Sequence, residues 1–206
     1  VNPGYPALVE SRAVVLRLDN VDTDVITPIA RVLEGPAAVV RWGFETLRFD
    51  EDGRPRADDP FGDPRRLDAQ VLIVGRNFGC GSSRETAAAA VRGMGFRVVI
   101  APSYGDIFYS NCLKNGVLAI RLSETIVEAL MDLGDALATF AIDLPSQRLC
   151  CADLDTGFEI GALQKHLLLA GLDEIGLMQS RASERTLYDK RDHHLRPWVR
   201  TRPRND

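Results

Sequence analysis

Near-unbroken apolar runs of strand length recur along the chain, separated by stretches whose apolar positions follow helical spacing. "QVLIVG" at 70 to 75, "RVVIA" at 97 to 101 and "VLAIRL" at 117 to 122 carry almost no polar alternation. Such runs predict strands covered on both faces, at the centre of a largely parallel sheet. "AVVLRL" at 13 to 18 predicts a further strand, and "DNVDTDVITP" at 19 to 28 a polar turn after it. Between the runs, "SRETAAAAVRGMG" has helix composition with Gly93 or Gly95 to end it, and "GDIFYSNCLKNG" predicts a short helix closed by Asn115-Gly116. In "SETIVEALMDLGD", Ser123 is a candidate cap, and Ile126, Val127, Leu130 and Leu133 share one stripe. "TFAIDL" and "RLCCADL" predict paired strands around "PSQR", and "IGALQKHLLLAGLDEIGLM" a helix ending near Gly171 followed by a short returning segment. Residues 50 to 66, rich in Gly, Pro and alternating charge, predict a surface loop. No repeat is present, so the pattern predicts one α/β domain in which 70 to 101 forms a right-handed strand, turn, helix, strand unit.

The turn inside that unit, "GRNFGCGSSRE", has composition that packing alone does not require. Gly79 and Gly81 can take backbone angles closed to other residues, and without side chains there amide N–H groups can approach a ligand. The first turn of the following helix adds unpaired N–H groups and a favourable dipole. With Ser82, Ser83 and Arg84 at its mouth, the turn is a candidate anion cradle with one fixed positive charge. It is neither a Walker loop nor GxGxxG. Phosphate and carboxylate both fit, and arginine's planar fork matches a carboxylate through two parallel hydrogen bonds. The plainer reading is that Ser82 or Ser83 caps the helix and Glu85 completes a capping box. Two further polar clusters fall beyond strand ends, Asp22, Thr23 and Asp24 in one and Ser103, Tyr104, Asp106 and Asn111 in the other. Ligands of such sheets lie outside the carboxyl ends of strands, which favours one common site.

Composition narrows the classes. The net charge is −4, yet residues 181 to 206 hold seven arginines, one lysine and four acids, so the body is more acidic than the total suggests. That argues against a nucleic-acid surface spread over the domain. His193 and His194 lie in this tail and are expected to be exposed rather than ligands. No apolar stretch reaches membrane-spanning length and no basic-then-apolar leader opens the chain, so a soluble cytoplasmic protein is expected. Cys80, Cys112, Cys150 and Cys151 lack metal-knuckle spacing, and no metal is expected in this chain.

The segments "DNVDTDVITP", "VGRNFGCGSSRE", "GFRVVIAPSYGDIFYSNCLKNGVLAI" and "KHLLLAGLDEIGL" resemble the small-subunit family of bacterial 3-isopropylmalate dehydratases, itself similar to the swivelling C-terminal domain of aconitase. The likeness spans roughly residues 8 to 192. It implies a three-layer β/β/α swivel domain over 1 to 180, with a charged extension at 181 to 206. It also implies a large-subunit partner holding a [4Fe–4S] cluster, in a heterodimer or heterotetramer, and a small dicarboxylate substrate. By the resemblance Ser82 is the catalytic base, Asp24 an acid-base or supporting helper, and Gly81, Ser83 and Arg84 bind the substrate carboxylate. The implied reaction interconverts 2- and 3-isopropylmalate through 2-isopropylmaleate in leucine biosynthesis. Self-association of the isolated chain through the surface meant for its partner is a further expectation, with "IFYSNCL" and "HLLLAGL" as candidate interface.

Two departures from the family pattern bear on substrate. Thr86 stands where the family usually has histidine, and alanines replace larger neighbours. Between 31 and 49, "RWGFETLRF" replaces the usual Arg-Thr-Gly-Phe-Gly loop, making Arg31 and Arg41 candidates for a second carboxylate clamp and Trp42 or Phe44 for an apolar wall or for core. A related hydro-lyase for another hydroxy diacid, of substituted malate, homocitrate or citrate type, is therefore an alternative. A non-catalytic interaction domain reusing the fold is an alternative of another class.

Overall fold

In the computed structural model the described residues are 5–171 together with 192, 195 and 196. The 181 to 206 extension, its two histidines, the returning segment after Gly171 and the boundary near 180 otherwise lie outside them.

The apolar runs form a parallel sheet, β2 (Ala13–Leu16), β3 (Val71–Val74), β4 (Val98–Ala101) and β5 (Leu118–Arg121), in that spatial order. Every residue of the first three is buried, as the unbroken hydrophobicity requires. Val71 sits opposite Ala13 on one side and Val98 on the other. Because strand order follows chain order, each right-handed crossover returns on the same face. That face is covered by α5 (Glu85–Gly93) and α6 (Asp106–Lys114), through Ala87, Ala88, Val91, Phe108 and Cys112.

The connection from β2 to β3 contains four short helices, α1 (Thr23–Ile26), α2 (Ile29–Glu34), α3 (Pro36–Arg41) and α4 (Glu45–Arg48). The 19 to 28 stretch thus includes a helical turn, where only a polar turn was expected. Phe44 of this connection is fully buried, in a left-handed backbone conformation, and stacks toward Phe61 and Phe78.

The opposite face is covered by α7 (Glu124–Asp135) and by a second, antiparallel sheet. Of the predicted stripe on α7, Val127 and Leu130 are buried and Ile126 and Leu133 half-buried, with Met131 joining them. The second sheet runs β1 (Leu8–Ser11), β6 (Phe140–Asp143), β7 (Arg148–Cys151) and β8 (Leu154–Gly157), in the order β1-β6-β7-β8. The β6–β7 hairpin around "PSQR" is as expected; β1 and β8 are additions. Alternate burial in β1 and β7 leaves one face outward, while Val9, Ile142 and Leu149 meet Ile73, Ile100 and Ile120 of the first sheet. A final helix, α8 (Ala162–Ala170), ends at Gly171 in the left-handed region. The result is the expected α/β, three-layer β/β/α arrangement.

Leu130, fully buried between the layers, contrasts with Leu67, 74% exposed. Leu130→Ala is expected to cost about 2–5 kcal/mol in urea unfolding, and Leu67→Ala within about 0.5 kcal/mol of zero.

Candidate functional site

The carboxyl ends of β2, β3 and β4 converge on the loop from Gly75 to Arg84. The chain leaving β2 runs beside that loop: Asn20 N–H donates to the Arg76 carbonyl at 2.9 Å, Gly79 N–H to Val21 at 2.7 Å, and Thr23 N–H to Cys80 at 2.9 Å. On its other flank Phe78 N–H donates to the Ser103 carbonyl, and Gly105 N–H to Phe78. Asn20 and Asn77 both take left-handed backbone angles, and Asn77 Nδ2 donates to Asn20 Oδ1 at 2.9 Å.

The two glycines have different reasons to be glycine. Gly79 has φ +70, and a Cβ there would stand 2.2 Å from the Phe108 ring. Gly81 has φ +95, but a Cβ would find room, its nearest neighbour being Thr23 Oγ1 at 3.5 Å. Space and backbone angle both demand glycine at 79; at 81 the backbone angle does.

Neither serine caps the helix. The N-cap of α5 is Arg84, with no side-chain cap bond, so the capping-box reading of Ser82, Ser83 and Glu85 is not what forms. Ser82 and Ser83 are exposed, and among the described residues neither hydroxyl has a hydrogen-bond partner. The amides of Gly81, Ser82, Ser83, Arg84, Glu85 and Thr86 likewise find no acceptor among the described residues. These donors surround the opening of α5, where the helix dipole adds positive potential.

Arg84 is held in place. Its Nη1 donates to Asp24 Oδ1 at 2.5 Å and to the Thr27 carbonyl at 3.2 Å. Its side chain is only 17% exposed, yet Nε and Nη2 stay unbonded and are not closed off by protein. The Nε/Nη2 edge of the fork therefore has no partner among the described residues, and it is an edge that takes a carboxylate through two parallel bonds. Asp24 lies in the first turn of α1, whose N-cap Asp22 accepts from Val25 N–H at 2.8 Å. The two aspartates of "DTD" thus divide the work, one capping and one orienting the cation.

The other candidates make different contacts. Arg31 grips both oxygens of Glu45, at 2.9 and 2.5 Å, also reaches Glu34 at 2.6 Å, and lies 4.4 Å over the Trp42 ring. Arg41 is exposed on the same ring's periphery, 5.3 Å from its centroid. No hydrogen bond, ion pair or ring contact among the described residues joins either arginine to the glycine loop. Trp42 is half-buried and packs edge-on against Phe49, and Phe44 is core. Tyr104, grouped with the site residues by its position after β4, instead turns its hydroxyl inward to lie 2.8 Å from both the Val99 and Ile120 carbonyls, either of which can accept its one hydrogen. Burial pushes its pKa well up. Ser103 accepts from Asn77 N–H, Asp106 opens α6, and the Asn111 carbonyl closes that helix by accepting from Asn115. Thr23 was noted only as part of a polar cluster; its two contacts to the loop depend on how the turn folds back and carry no sequence signal of their own.

The cysteines are scattered. Cys112 and Cys151 are buried, with burial raising both thiol pKa values, Cys150 is exposed on β7 beside Asp155, and Cys80 is in the loop. Among the described residues no three His, Cys, Asp or Glu side chains are placed to hold a metal.

The model of the aconitase C-terminal domain family matches residues 59–125, which include the whole glycine loop and α5. The 3-isopropylmalate dehydratase small subunit of Dinoroseobacter shibae is 41% identical over 192 residues, covering 91% of this chain and 95% of that one. Its counterpart in Rhodospirillum centenum is 43% identical over 195 residues, covering 91% and 94%. The chain belongs to the 3-isopropylmalate dehydratase small-subunit family. Among solved structures, a 3-isopropylmalate dehydratase from Methanocaldococcus jannaschii superposes with a TM-score of 0.65 at 25% identity, covering 88% of this chain and 99% of the other. The swivel-type fold expected for the family is therefore the fold observed. No helix among the described residues is long and apolar enough to cross a membrane.

Two outcomes test this geometry. Gly79→Ala is expected to destabilise the domain by roughly 2–4 kcal/mol in urea unfolding, from overpacking against Phe108 plus the left-handed angle. The Arg31 pair holds the Glu45 carboxyl below its ordinary value of 4.5. Its stabilisation is therefore complete above that pH and lost as pH falls through the lowered value. Glu45→Gln is expected to flatten this acid limb in a pH series of thermal unfolding midpoints.

Proposed function

We propose that this chain is the small subunit of a 3-isopropylmalate dehydratase, acting in leucine biosynthesis at an active site completed by a cluster-bearing large subunit. The observation that carries the reading is Arg84, pinned on one nitrogen by Asp24 and Thr27 with its Nε/Nη2 edge open, beside two unpartnered serine hydroxyls and a run of free amides.

The reaction removes a proton from a carbon beside a carboxylate and a hydroxide from the neighbouring carbon, giving the unsaturated diacid; water then adds back with the opposite placement. Such a C–H is very weakly acidic, so charge developing on the adjacent carboxylate must be met by fixed donors. Arg84 is suited to that carboxylate through its open edge, and Ser83 through its hydroxyl and amide. Ser82 Oγ takes the proton. An ordinary serine hydroxyl is a poor base, and the free amides at 81 to 83, the Arg84 charge and the dipole of α5 all favour its alkoxide form. Asp24 keeps the Arg84 fork from rotating away. A [4Fe–4S] cluster on the partner would supply Lewis-acid assistance to the departing hydroxide, which fits a chain whose own cysteines are dispersed.

Arg31 bears on substrate class. Citrate-type acids carry one more carboxylate and call for another available cation, but the Arg31 guanidinium is already neutralised by Glu34 and Glu45. An unpaired buried carboxylate would be costly, whereas an alkyl group needs only an apolar wall. Of the two candidate arginines that leaves Arg41, which makes no ion pair among the described residues, as the cation a third carboxylate would have to use.

The test is the chain co-produced anaerobically with its large subunit, following ultraviolet absorbance of the unsaturated diacid with 3-isopropylmalate, citrate, homocitrate and short alkylmalates. Turnover of 3-isopropylmalate is expected, with Ser82→Ala lowering kcat about 10²–10⁴-fold. Arg84→Lys, which keeps the charge but loses the fork, is expected to raise KM roughly 10- to 100-fold. Preference for citrate or homocitrate would move the assignment to the related hydro-lyase. An intact, cluster-loaded complex silent toward all of them would remove the catalytic reading for these acids.

A further inference from the structure

Thr23 touches the loop twice. Its backbone N–H donates to the Cys80 carbonyl at 2.9 Å and its Oγ1 to the Ser82 carbonyl at 3.3 Å. The residue is 1% exposed, so its hydroxyl has little water to turn to. These bonds fix alternate carbonyls of the segment and draw both toward α1.

In a trans peptide the carbonyl and the following N–H point in opposite directions. Drawing the Cys80 carbonyl toward α1 therefore turns Gly81 N–H away from it, and holding the Ser82 carbonyl does the same for Ser83 N–H. Both are among the amides without an internal acceptor. They flank Ser82 in sequence, and its exposed hydroxyl lies between them along the chain.

We propose that Thr23 is a positioning residue that aims the Gly81 and Ser83 amides at the oxyanion formed on or beside Ser82. The proposal rests on the reading of Ser82 as the base. Thr23 touches no substrate; it acts by denying the Ser82–Ser83 peptide the freedom to flip, which would replace a donor with a carbonyl oxygen at the site of negative charge. The preceding Cys80–Gly81 peptide, whose flip the Gly81 angle of φ +95 would leave open to the bare chain, is held in the same way by the Thr23 N–H.

The test uses the assembled enzyme with its large subunit and four forms of this chain: the parent, Thr23→Val, Thr23→Ser and Ser82→Ala. Valine keeps the shape of the buried side chain and removes only the hydroxyl; serine restores the hydroxyl. The expected result for Thr23→Val is a kcat lower by about 10- to 100-fold with KM within about threefold of the parent. The limb of the kcat–pH profile that reports the base should move to higher pH, because weaker donors raise the pKa of the alkoxide's parent hydroxyl. Thr23→Ser should recover most of the kcat and the parental limb. Parental kcat and limb in Thr23→Val, with Ser82→Ala inactive, would overturn the Thr23 role and leave Ser82 as base. Equal losses in Thr23→Val and Thr23→Ser with an unmoved limb would also overturn it, leaving Thr23 as packing. Full activity of Ser82→Ala would remove the base itself, and with it the positioning role.

Discussion

The close approach of backbone to backbone at Gly79 and Gly105 governs the geometry of the glycine-loop edge. A Cβ on Gly105 would stand 2.4 Å from the Gly79 carbonyl oxygen, and one on Gly79 would enter the Phe108 ring. Only with both side chains missing can the loop after β3 settle between the turn after β2 and the start of α6. The loop is then located by main-chain bonds to the segments that leave β2 and β4, while Arg84 is held by the Asp24 side chain and the Thr27 carbonyl. The donors left free at this edge are mostly main-chain amides, whose directions the packed loop fixes.

The second requirement is that a cation be present without being spent. Arg84 and Arg31 meet it differently. Arg84 gives one nitrogen to Asp24 and Thr27 and keeps a bidentate edge, whereas Arg31 gives two nitrogens to Glu45 and the third to Glu34. The first is prepared for a ligand; the second is a tie between α2 and α4. α2 has no fully buried residue and packs on the core through the half-buried Val32, so that tie and the stack on Trp42 add to its attachment.

What could be read from the sequence divides along the same physical line. The strands of the parallel sheet were legible because burial on both faces writes itself as unbroken hydrophobicity, and α7 because one wet face writes itself as a stripe. The short helices α1 to α4 were not, since four to six residues carry less than two helical periods and tertiary anchors such as Phe44 and Arg31 decide their shape. β8, "LDTG", takes its strand form from pairing with β7 rather than from its own residues. At the site, Ser82, Ser83, Arg84 and Asp24 could be named from their motif, but nothing local says that Asp24 grips Arg84 across sixty residues of chain. The same limit hid the inward turn of Tyr104, whose acceptors are carbonyls of two different strands.

The two sheets also differ in when they can exist. The parallel sheet is laid down in chain order, so a growing chain can add β3 to β2, then β4, then β5, each beside the strand before it. β1, at the edge of the other sheet, has β6 as its single strand neighbour, with Leu8 opposite Asp143. On a ribosome its backbone groups must wait, solvated, until β6 has emerged. The outer sheet therefore carries the longest strand-to-strand closure of the fold.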